Sequence, residues 1–361
     1  MRRRAAAAAA PAALPLAACT LRPVAPPPLE PEVLSPARLG ALDDRARFRA
    51  ILCAIATARP ELPDARPCEA ILHALPDEPP FDPQPVPLGP PRLPLRVVGL
   101  PGLAADCMAW FATSFADAFA HLEALGWKTA ILPTGSLASV AWNAQKIRAE
   151  LSAMALAPGE RLLLLAHSKA AADVLEALAL DPALPERVAA VVTVAGAVMG
   201  SPLAEEAPGS WAPVLALLPG ARCAVGDGQG VNDLVPRVRR AWLATRPPPP
   251  VPVLALGAFA EEDEISTLLR PFWRRLAELG HTSDGQVPAS FQIPPGARLL
   301  GWLRADHLAV AVPFARRHPW LAHDRLDRNA FPREILFEAV VRRVEELVLE
   351  GRPLASPARP G

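Results

Sequence analysis

The chain lacks several features that would indicate particular classes of protein. Its 361 residues include no tyrosine and only 4 methionines, and 37 basic residues balance 37 acidic ones. A net charge of zero gives no electrostatic reason to expect nucleic acid as a partner. The cations are nearly all arginine, and alanine and proline are abundant. We attribute this composition to a GC-rich coding bias, so alanine and proline alone are not treated as structural signals.

Long apolar runs are absent after the first twenty residues, so no later segment is predicted to span a bilayer. The opening stretch, MRRRAAAAAAPAALPLAACT, has a basic start, a short apolar run and small residues before a cleavage point. This is the layout of a secretory signal. Leu-Ala-Ala-Cys, which ends at Cys19, resembles a bacterial lipobox, and the resemblance implies that Cys19 is lipidated. We therefore predict a signal peptide over 1–18 and a Pro-rich tether over 19–41.

The residue after Cys19 is Thr20, where an aspartate would argue against the outer membrane. By resemblance to lipoproteins of Gram-negative bacteria, this favours the outer membrane. The predicted location is therefore the bacterial cell envelope, with the protein lipid-anchored and facing the periplasm.

Four cysteines remain, and their spacing fits no zinc site, so no metal is predicted. An even number of cysteines in an exported chain suggests two disulfides. Cys53 with Cys68 would close a short loop between two predicted helices, and Cys107 with Cys223 would form the second bridge. The sequence alone permits three pairings, and it also permits four buried free thiols.

From Leu95 onward, apolar strands alternate with helices. Continuous apolar strands separated by helices indicate an α/β protein with a mainly parallel sheet that is covered by helices on both faces. Before this domain (95–350), residues 42–94 are predicted to be a helical extension and connector, with helices over 42–58 and 67–75. The predicted strands are 95–100, 128–133, 161–167, 187–196, 251–259 and 297–303.

The alternation is interrupted over 198–250. An insertion between two strands of an α/β core predicts a cap over an active site. Its apolar side chains suit an acyl chain better than a sugar or a phosphate, and ordinary packing of the cap onto the core is the alternative interpretation. They are Trp211, Val214, Leu215, Leu217, Leu218 and Trp242.

One serine, Ser168, stands where the apolar run RLLLLAH meets a helical pattern. A nucleophile elbow places serine on a sharp turn between a strand and a helix, so that helix amides point at the reacting oxygen. Its second neighbours must be small because the two backbones nearly touch. Here they are Ala166 and Ala170, the next smallest choice after the usual glycines. Ser168 is therefore predicted to be a nucleophile, with His167 and Lys169 shaping the turn.

An acid and a histidine follow at later strand ends. Asp284, in HTSDGQVP, comes after the strand at 251–259, and His307, in RADH, directly follows the last strand. Asp263 is the alternative acid, and Asp306 is a candidate hydrogen-bond or salt-bridge partner of the site. We expect the serine, the acid and the histidine to lie in solvent-facing loops or turns.

This order of residues resembles the α/β-hydrolase superfamily, particularly its lipase and esterase branch, over about residues 95–350. The resemblance implies that Ser168 attacks a carboxylic ester, that His307 moves the proton and that Asp284 orients the imidazole. It requires no cofactor and no metal. The implied partners are a small-molecule ester or lipid substrate and, through the N-terminal lipid, a membrane.

Two backbone amides must bind the oxyanion in such a site. We assign one to Lys169, which follows the serine, and the other to Leu103 in the loop after the first core strand. Lipases often have His-Gly in that loop, and its absence here leaves Leu100 as the alternative donor. The same departures from the family pattern support a second hypothesis, namely an inactive envelope lipoprotein that uses the fold as a binding scaffold.

The anchor gives the first testable prediction. We expect wild-type protein to incorporate a palmitate label in a bacterial host and Cys19→Ser to lose it, because a lipidated cysteine cannot form without the thiol. Several acyl chains on one N-terminus give stable binding, at about 0.8 kcal/mol per buried methylene. Unlabelled wild-type protein that is soluble in the periplasm would rule this out.

Overall fold

The computed structural model describes residues 34–135, 137–206 and 223–351. Several predictions concern positions outside these ranges. They are the signal peptide, the lipidated Cys19, and the cap residues Trp211, Val214, Leu215, Leu217 and Leu218.

Eight strands form a single sheet in the described part of the chain. They are β1 (Leu42–Asp43), β2 (Leu72–His73), β3 (Leu95–Leu100), β4 (Lys128–Ile131), β5 (Arg161–His167), β6 (Val188–Val194), β7 (Val253–Phe259) and β8 (Arg298–Arg304). The order is β1-β8-β7-β6-β5-β3-β4, with β2 also beside β8. All pairs are parallel except β2 with β8. The predicted, mainly parallel α/β sheet is confirmed.

Helices cover both faces of this sheet. They are α1 (Pro36–Leu39), α2 (Arg45–Ala58), α3 (Ala116–Ala124), α4 (Val140–Ala153), α5 (Ala170–Leu180), α6 (Leu184–Arg187), α7 (Leu203–Glu206), α8 (Pro236–Thr245), α9 (Arg270–Glu278), α10 (Phe314–Arg317), α11 (Pro319–Arg325) and α12 (Arg333–Leu349). None of the described helices is both long enough and apolar enough to cross a membrane.

The central strand β5 shows why the strands are apolar throughout. Leu163 and Leu165 pack into the cluster formed with α2, α3 and α12, whereas Leu162 and Leu164 pack into the cluster formed with α4 and α5. Successive side chains of a strand point to opposite faces. Because both faces of β5 are buried, the alternation of apolar and polar residues disappears and a run of four leucines results.

The prediction of a second helix before the core, over residues 67–75, is wrong. A single 3₁₀ turn spans Cys68–Ala70, and the chain then enters β2, which pairs antiparallel with β8. The amide of Arg304 donates to the carbonyl of Ile71 at 2.8 Å. A helix of nine residues has little stability of its own, and here the edge of β8 offers hydrogen-bond partners to the backbone.

The predicted tether also ends earlier than position 41. Leu34 is buried, and α1 follows it directly. Gly40 ends α1 in the left-handed conformation (φ 62°), and its carbonyl accepts from the Gly296 amide. Residues from 34 onward are therefore part of the folded domain.

In the interrupted region, Trp242 packs onto the core of the domain. It lies on α8, packs against the cluster that contains α4 and α5, and donates its indole N–H to Glu176 of α5. Arg239 lies over its ring at 4.8 Å. This tryptophan attaches α8 to the flank of the domain, which agrees with the alternative of ordinary packing onto the core.

Both cysteine pairs favoured from the sequence lie at disulfide distance. The Cα atoms of Cys53 and Cys68 are 5.0 Å apart, and those of Cys107 and Cys223 are 4.2 Å apart. The first pair joins α2 to the 3₁₀ turn before β2. The second joins the loop after β3 to the chain that leads into α8.

We expect unfolded, unreduced protein to contain no reactive thiol at these four positions, as measured by thiol titration and peptide mapping. Cys53→Ser should expose one thiol, on Cys68, and lower stability. The bridge spans 15 positions of sequence, for which chain entropy predicts a contribution of about 3 kcal/mol. Four reactive thiols in the wild-type protein would refute the pairing.

Candidate active site

Ser168 occupies a strained turn between β5 and α5. Its φ is +57°, in the left-handed region that residues other than glycine rarely adopt. Such a conformation costs roughly 1–2 kcal/mol. The surrounding backbone holds it, because the Ser168 amide donates to the carbonyl of Val194 at 3.2 Å and the Ala197 amide donates to the Ser168 carbonyl at 2.9 Å.

Small residues surround this turn on every side. Ala166 and Ala170 are fully buried, so the space for a second-neighbour side chain is filled by a single methyl group on each side. Gly102, in the loop after β3, lies even closer. A Cβ atom at position 102 would come within 2.6 Å of the Ser168 Cβ and 3.2 Å of its Oγ. Glycine is therefore required at 102 for the loop to reach the serine.

Three side chains from three strand ends form one hydrogen-bonded chain. The Ser168 Oγ is 2.8 Å from Nε2 of His307, and Nδ1 of the same ring is 2.7 Å from Oδ2 of Asp284. The His307 amide also donates to the Asp284 carbonyl at 2.9 Å. The structure thus brings together the predicted serine, histidine and acid. The alternative acid, Asp263, is exposed in a 3₁₀ turn and has no hydrogen bond to the imidazole.

Asp284 is oriented by backbone amides and by a side chain that sequence analysis missed. Its Oδ1 accepts from the amides of Gln286 and Val287, each at 2.8 Å. Its Oδ2 accepts from Nε2 of Gln292 at 3.2 Å. The Gln292 amide also pairs with the backbone of Ala258 in β7, at 2.6 and 2.9 Å. Gln292 thereby ties the acid to the sheet.

The expectation that these residues face solvent is wrong. Ser168 is 7% exposed, His307 is 3% exposed and Asp284 is 0% exposed. The loops fold back over the strand ends and satisfy the polar atoms internally, as buried polar groups require. Hydrogen bonds in such a site are stronger than in water because the local dielectric is low.

The neighbouring Asp306 shapes the histidine loop and has no salt bridge among the described residues. Its Oδ1 accepts from the amides of Leu308 and Ala309, and its Oδ2 accepts from the amide and hydroxyl of Ser266. Burial raises the pKa of Asp306. Its role is to hold the turn that carries His307 against the segment after β7.

The two predicted oxyanion donors, Lys169 and Leu103, directly follow Ser168 and Gly102. Within the part of the chain that the structure describes, neither the Lys169 amide nor the Leu103 amide donates a backbone hydrogen bond. The alternative, Leu100, lies within β3 and pairs with Ala166. Leu103 follows Gly102, the residue that touches the serine, so the arrangement favours Lys169 and Leu103.

Across the described residues, one group has side chains spaced as metal ligands, namely Cys53, Cys68 and Glu69. Its two cysteines are joined to each other, which leaves neither sulfur as a thiolate for a metal. No metal-based chemistry is assigned to this group.

His167 supports the loop that carries His307 from the other side. Its Nε2 donates to the carbonyl of His307 at 2.9 Å, and the two rings are 4.9 Å apart. Burial, followed by the charge of His307, lowers the pKa of His167 from 6.5 to about 3. His167 is therefore neutral in the folded protein and donates through Nε2.

This shift predicts a pH dependence of stability. Between pH 6.5 and about pH 3, the unfolded chain binds a proton at His167 and the folded chain does not. The free energy of unfolding therefore decreases as the pH is lowered through this range. His167→Gln keeps a donor but cannot be protonated. We expect wild type to lose up to about 1.4 kcal/mol per pH unit more than this variant in urea denaturation. His323→Gln, at an exposed position, is the control and should match wild type. Identical pH slopes in His167→Gln and wild type would contradict the assignment.

Comparison with solved structures supplies the family. The metagenomic carboxyl esterase MGS0156 is 38% identical with a TM-score of 0.80, and the match covers 86% of this chain and 95% of that one. The mature lipase BlEst2 of Bacillus licheniformis is 21% identical with a TM-score of 0.49, covering 66% and 93%. EstA from Clostridium botulinum is 12% identical with a TM-score of 0.47, covering 78% and 93%. The family assignment rests on MGS0156 alone.

No protein-family model matches the sequence, and the search of curated proteins finds no match. The sheet and its helices agree with the fold of MGS0156, as the TM-score of 0.80 indicates. With 38% identity to a carboxyl esterase over most of its length, the chain belongs to the α/β-hydrolase family.

Proposed function

We propose that this protein is a serine hydrolase that cleaves carboxylic esters through an acyl-enzyme. The observation that carries the proposal is the hydrogen-bonded chain from Ser168 through His307 to Asp284, at 2.8 and 2.7 Å. The likeness to a carboxyl esterase supports the substrate class. A binding scaffold would have no need for a serine held in a strained conformation against an imidazole.

Acylation begins when the Ser168 Oγ attacks the ester carbonyl carbon and His307 Nε2 takes the hydroxyl proton. The carbonyl oxygen becomes an oxyanion and accepts from the amides of Lys169 and Leu103. The tetrahedral intermediate then collapses, the C–O bond to the alcohol breaks, and His307 gives its proton to the leaving oxygen. Asp284 stabilises the imidazolium and fixes the tautomer with Nδ1–H toward its own Oδ2.

Deacylation repeats these steps with water. His307 takes a proton from the water molecule, the resulting hydroxide attacks the acyl carbon, and the Ser168 oxygen leaves as it recovers the proton. The products are a carboxylic acid and free enzyme. Every proton in this cycle moves through one imidazole, so the rate depends on the orientation given by Asp284 and, behind it, Gln292.

We further propose that the enzyme acts in the bacterial cell envelope, held by a lipid on Cys19 and facing the periplasm. The support is the basic start, the short apolar run and the Leu-Ala-Ala-Cys sequence. Disulfides are consistent with an exported protein, since they persist in oxidising compartments. A small-molecule ester or a lipid is the proposed substrate.

The nucleophile can be tested with Ser168→Ala. Loss of a triad member costs roughly 10⁴–10⁶ in kcat, and the oxyanion hole leaves a small residual rate. We expect the variant to lose this much activity on a short-chain nitrophenyl ester and to lose labelling by a fluorophosphonate probe. Asp284→Asn should lose about 10⁴, because it presents the wrong partner to the imidazole.

Ser152→Ala is a matched control on the exposed side of α4 and should keep wild-type activity and labelling. Circular dichroism checks that each variant is folded. A folded Ser168→Ala protein with the wild-type rate would overturn the mechanism. A wild-type protein with neither hydrolysis nor labelling would instead support the scaffold hypothesis.

A further inference from the structure

A buried ion pair lies directly behind the nucleophile. The side chain of Lys169, the residue after Ser168, is 1% exposed, and its Nζ is 2.6 Å from Oδ1 of Asp173. Asp173 is one helical turn further along α5, and its side chain is 2% exposed. The mechanism above uses only the backbone amide of Lys169 and leaves this pair without a role.

The pair continues into a hydrogen-bonded network that reaches a second loop. Oδ2 of Asp173 accepts from Nδ2 of Asn143 in α4 at 2.8 Å. Oδ1 of Asn143 accepts from the amide of Gly135 at 2.9 Å. Asn143 is fully buried. The network therefore connects the nucleophile turn to the loop between β4 and α4.

The ion pair of Lys169 with Asp173 is not expected to contribute much to the stability of the fold. Burial raises the pKa of Asp173, so the site disfavours its charged form in spite of the adjacent ammonium group. Replacing a buried ion pair by uncharged groups of similar volume is often neutral or stabilising, whereas removal of one partner is costly. The remaining role for the ion pair is to position a nearby part of the chain, and the nearest part is the backbone of Lys169.

We propose that Asp173 and Asn143 are positioning residues that fix the Lys169 backbone, so that its N–H points at the oxyanion. The inference rests on the proposed function. The carbonyl of Lys169 already accepts from the amides of Ala172 and Asp173, at 2.9 and 3.2 Å. The ion pair with Asp173 restrains Lys169 through its side chain as well. Lys169 is then held through both its backbone carbonyl and its side chain, while its backbone N–H stays free for substrate.

The rate effect follows from the distances that an oxyanion hole needs. Its donors must lie about 2.7–3.1 Å from the oxyanion, and loss of one donor costs about 10²–10³ in kcat. A rotated amide should lower kcat by less than a missing amide does. Because the oxyanion forms only in the transition state, the loss should appear in kcat and leave KM nearly unchanged.

The experiment compares single and double variants. Lys169→Met leaves a buried carboxylate unpaired and should lower Tm. Lys169→Met with Asp173→Asn removes both charges, keeps an acceptor for Asn143, and should recover most of the Tm. If the pair positions the amide, the double variant should still show kcat lowered by about tenfold or more, with KM within about twofold of wild type. Lys169→Arg, which keeps the link, should retain most of the rate.

The matched control removes another buried pair. Arg343 and Asp44 have side chains 3% and 8% exposed and are 2.8 Å apart, between α12 and the start of α2. Arg343→Met with Asp44→Asn should leave kcat unchanged. Binding of a phenylboronic acid, which forms a tetrahedral adduct with a serine, should weaken in the Lys169 and Asp173 double variant in proportion to its kcat.

A double variant with recovered Tm and wild-type kcat would overturn the inference and leave the pair a role in packing α4 against α5. A loss confined to KM would also overturn it, since it would indicate a ground-state contact. The two proposals fail separately. If Ser168→Ala keeps its activity, the proposed function fails, whereas an essential Ser168 with a fully active double variant refutes only the positioning role.

Discussion

The left-handed turn at Ser168 is the constraint on which the rest of the site depends. It is sterically unfavourable for a serine, and it persists because Val194, at the end of β6, and Ala197, just after β6, hold it through backbone hydrogen bonds. It also requires that nothing larger than a methyl group stands at the second neighbours and that Gly102 has no side chain at all. The small residues around the serine are thus a condition of the turn that it occupies.

The parallel sheet explains why three residues distant in sequence meet. The serine follows β5, the acid follows β7 and the histidine follows β8, and the carboxyl ends of parallel strands lie along the same edge. Loops at that edge are then fixed to the sheet by buried side chains, Gln292 for the acid and His167 for the histidine. These contacts hold the loops against the strands, and the proposed oxyanion hole needs such preorganisation.

Sequence patterns predicted the elements that depend on burial and on short-range sterics. The strands of the core could be predicted because burial on both faces leaves continuous apolar runs. Ser168 could be predicted because a tight turn requires small neighbours. Residues 67–75 were misjudged because their partner, the edge of β8, lies over two hundred positions away. Two interpretations of Trp242 stayed open because an apolar side chain gives no sign of which surface it covers. No sequence pattern marks Gln292, since a single buried amide is recognised only by its four hydrogen bonds to three residues in space.

Peptide mapping by mass spectrometry, after reaction of the native protein with an aryl phosphonate, is the most direct test of the central claim. The account predicts one phosphonyl group per chain, on the peptide that contains Ser168, formed at a rate that heat-unfolded protein does not reproduce. The strained turn and the contact between the Ser168 Oγ and the His307 imidazole exist only in the folded state, so reactivity should vanish on unfolding. An adduct on a different residue, in protein that hydrolyses esters, would contradict the account.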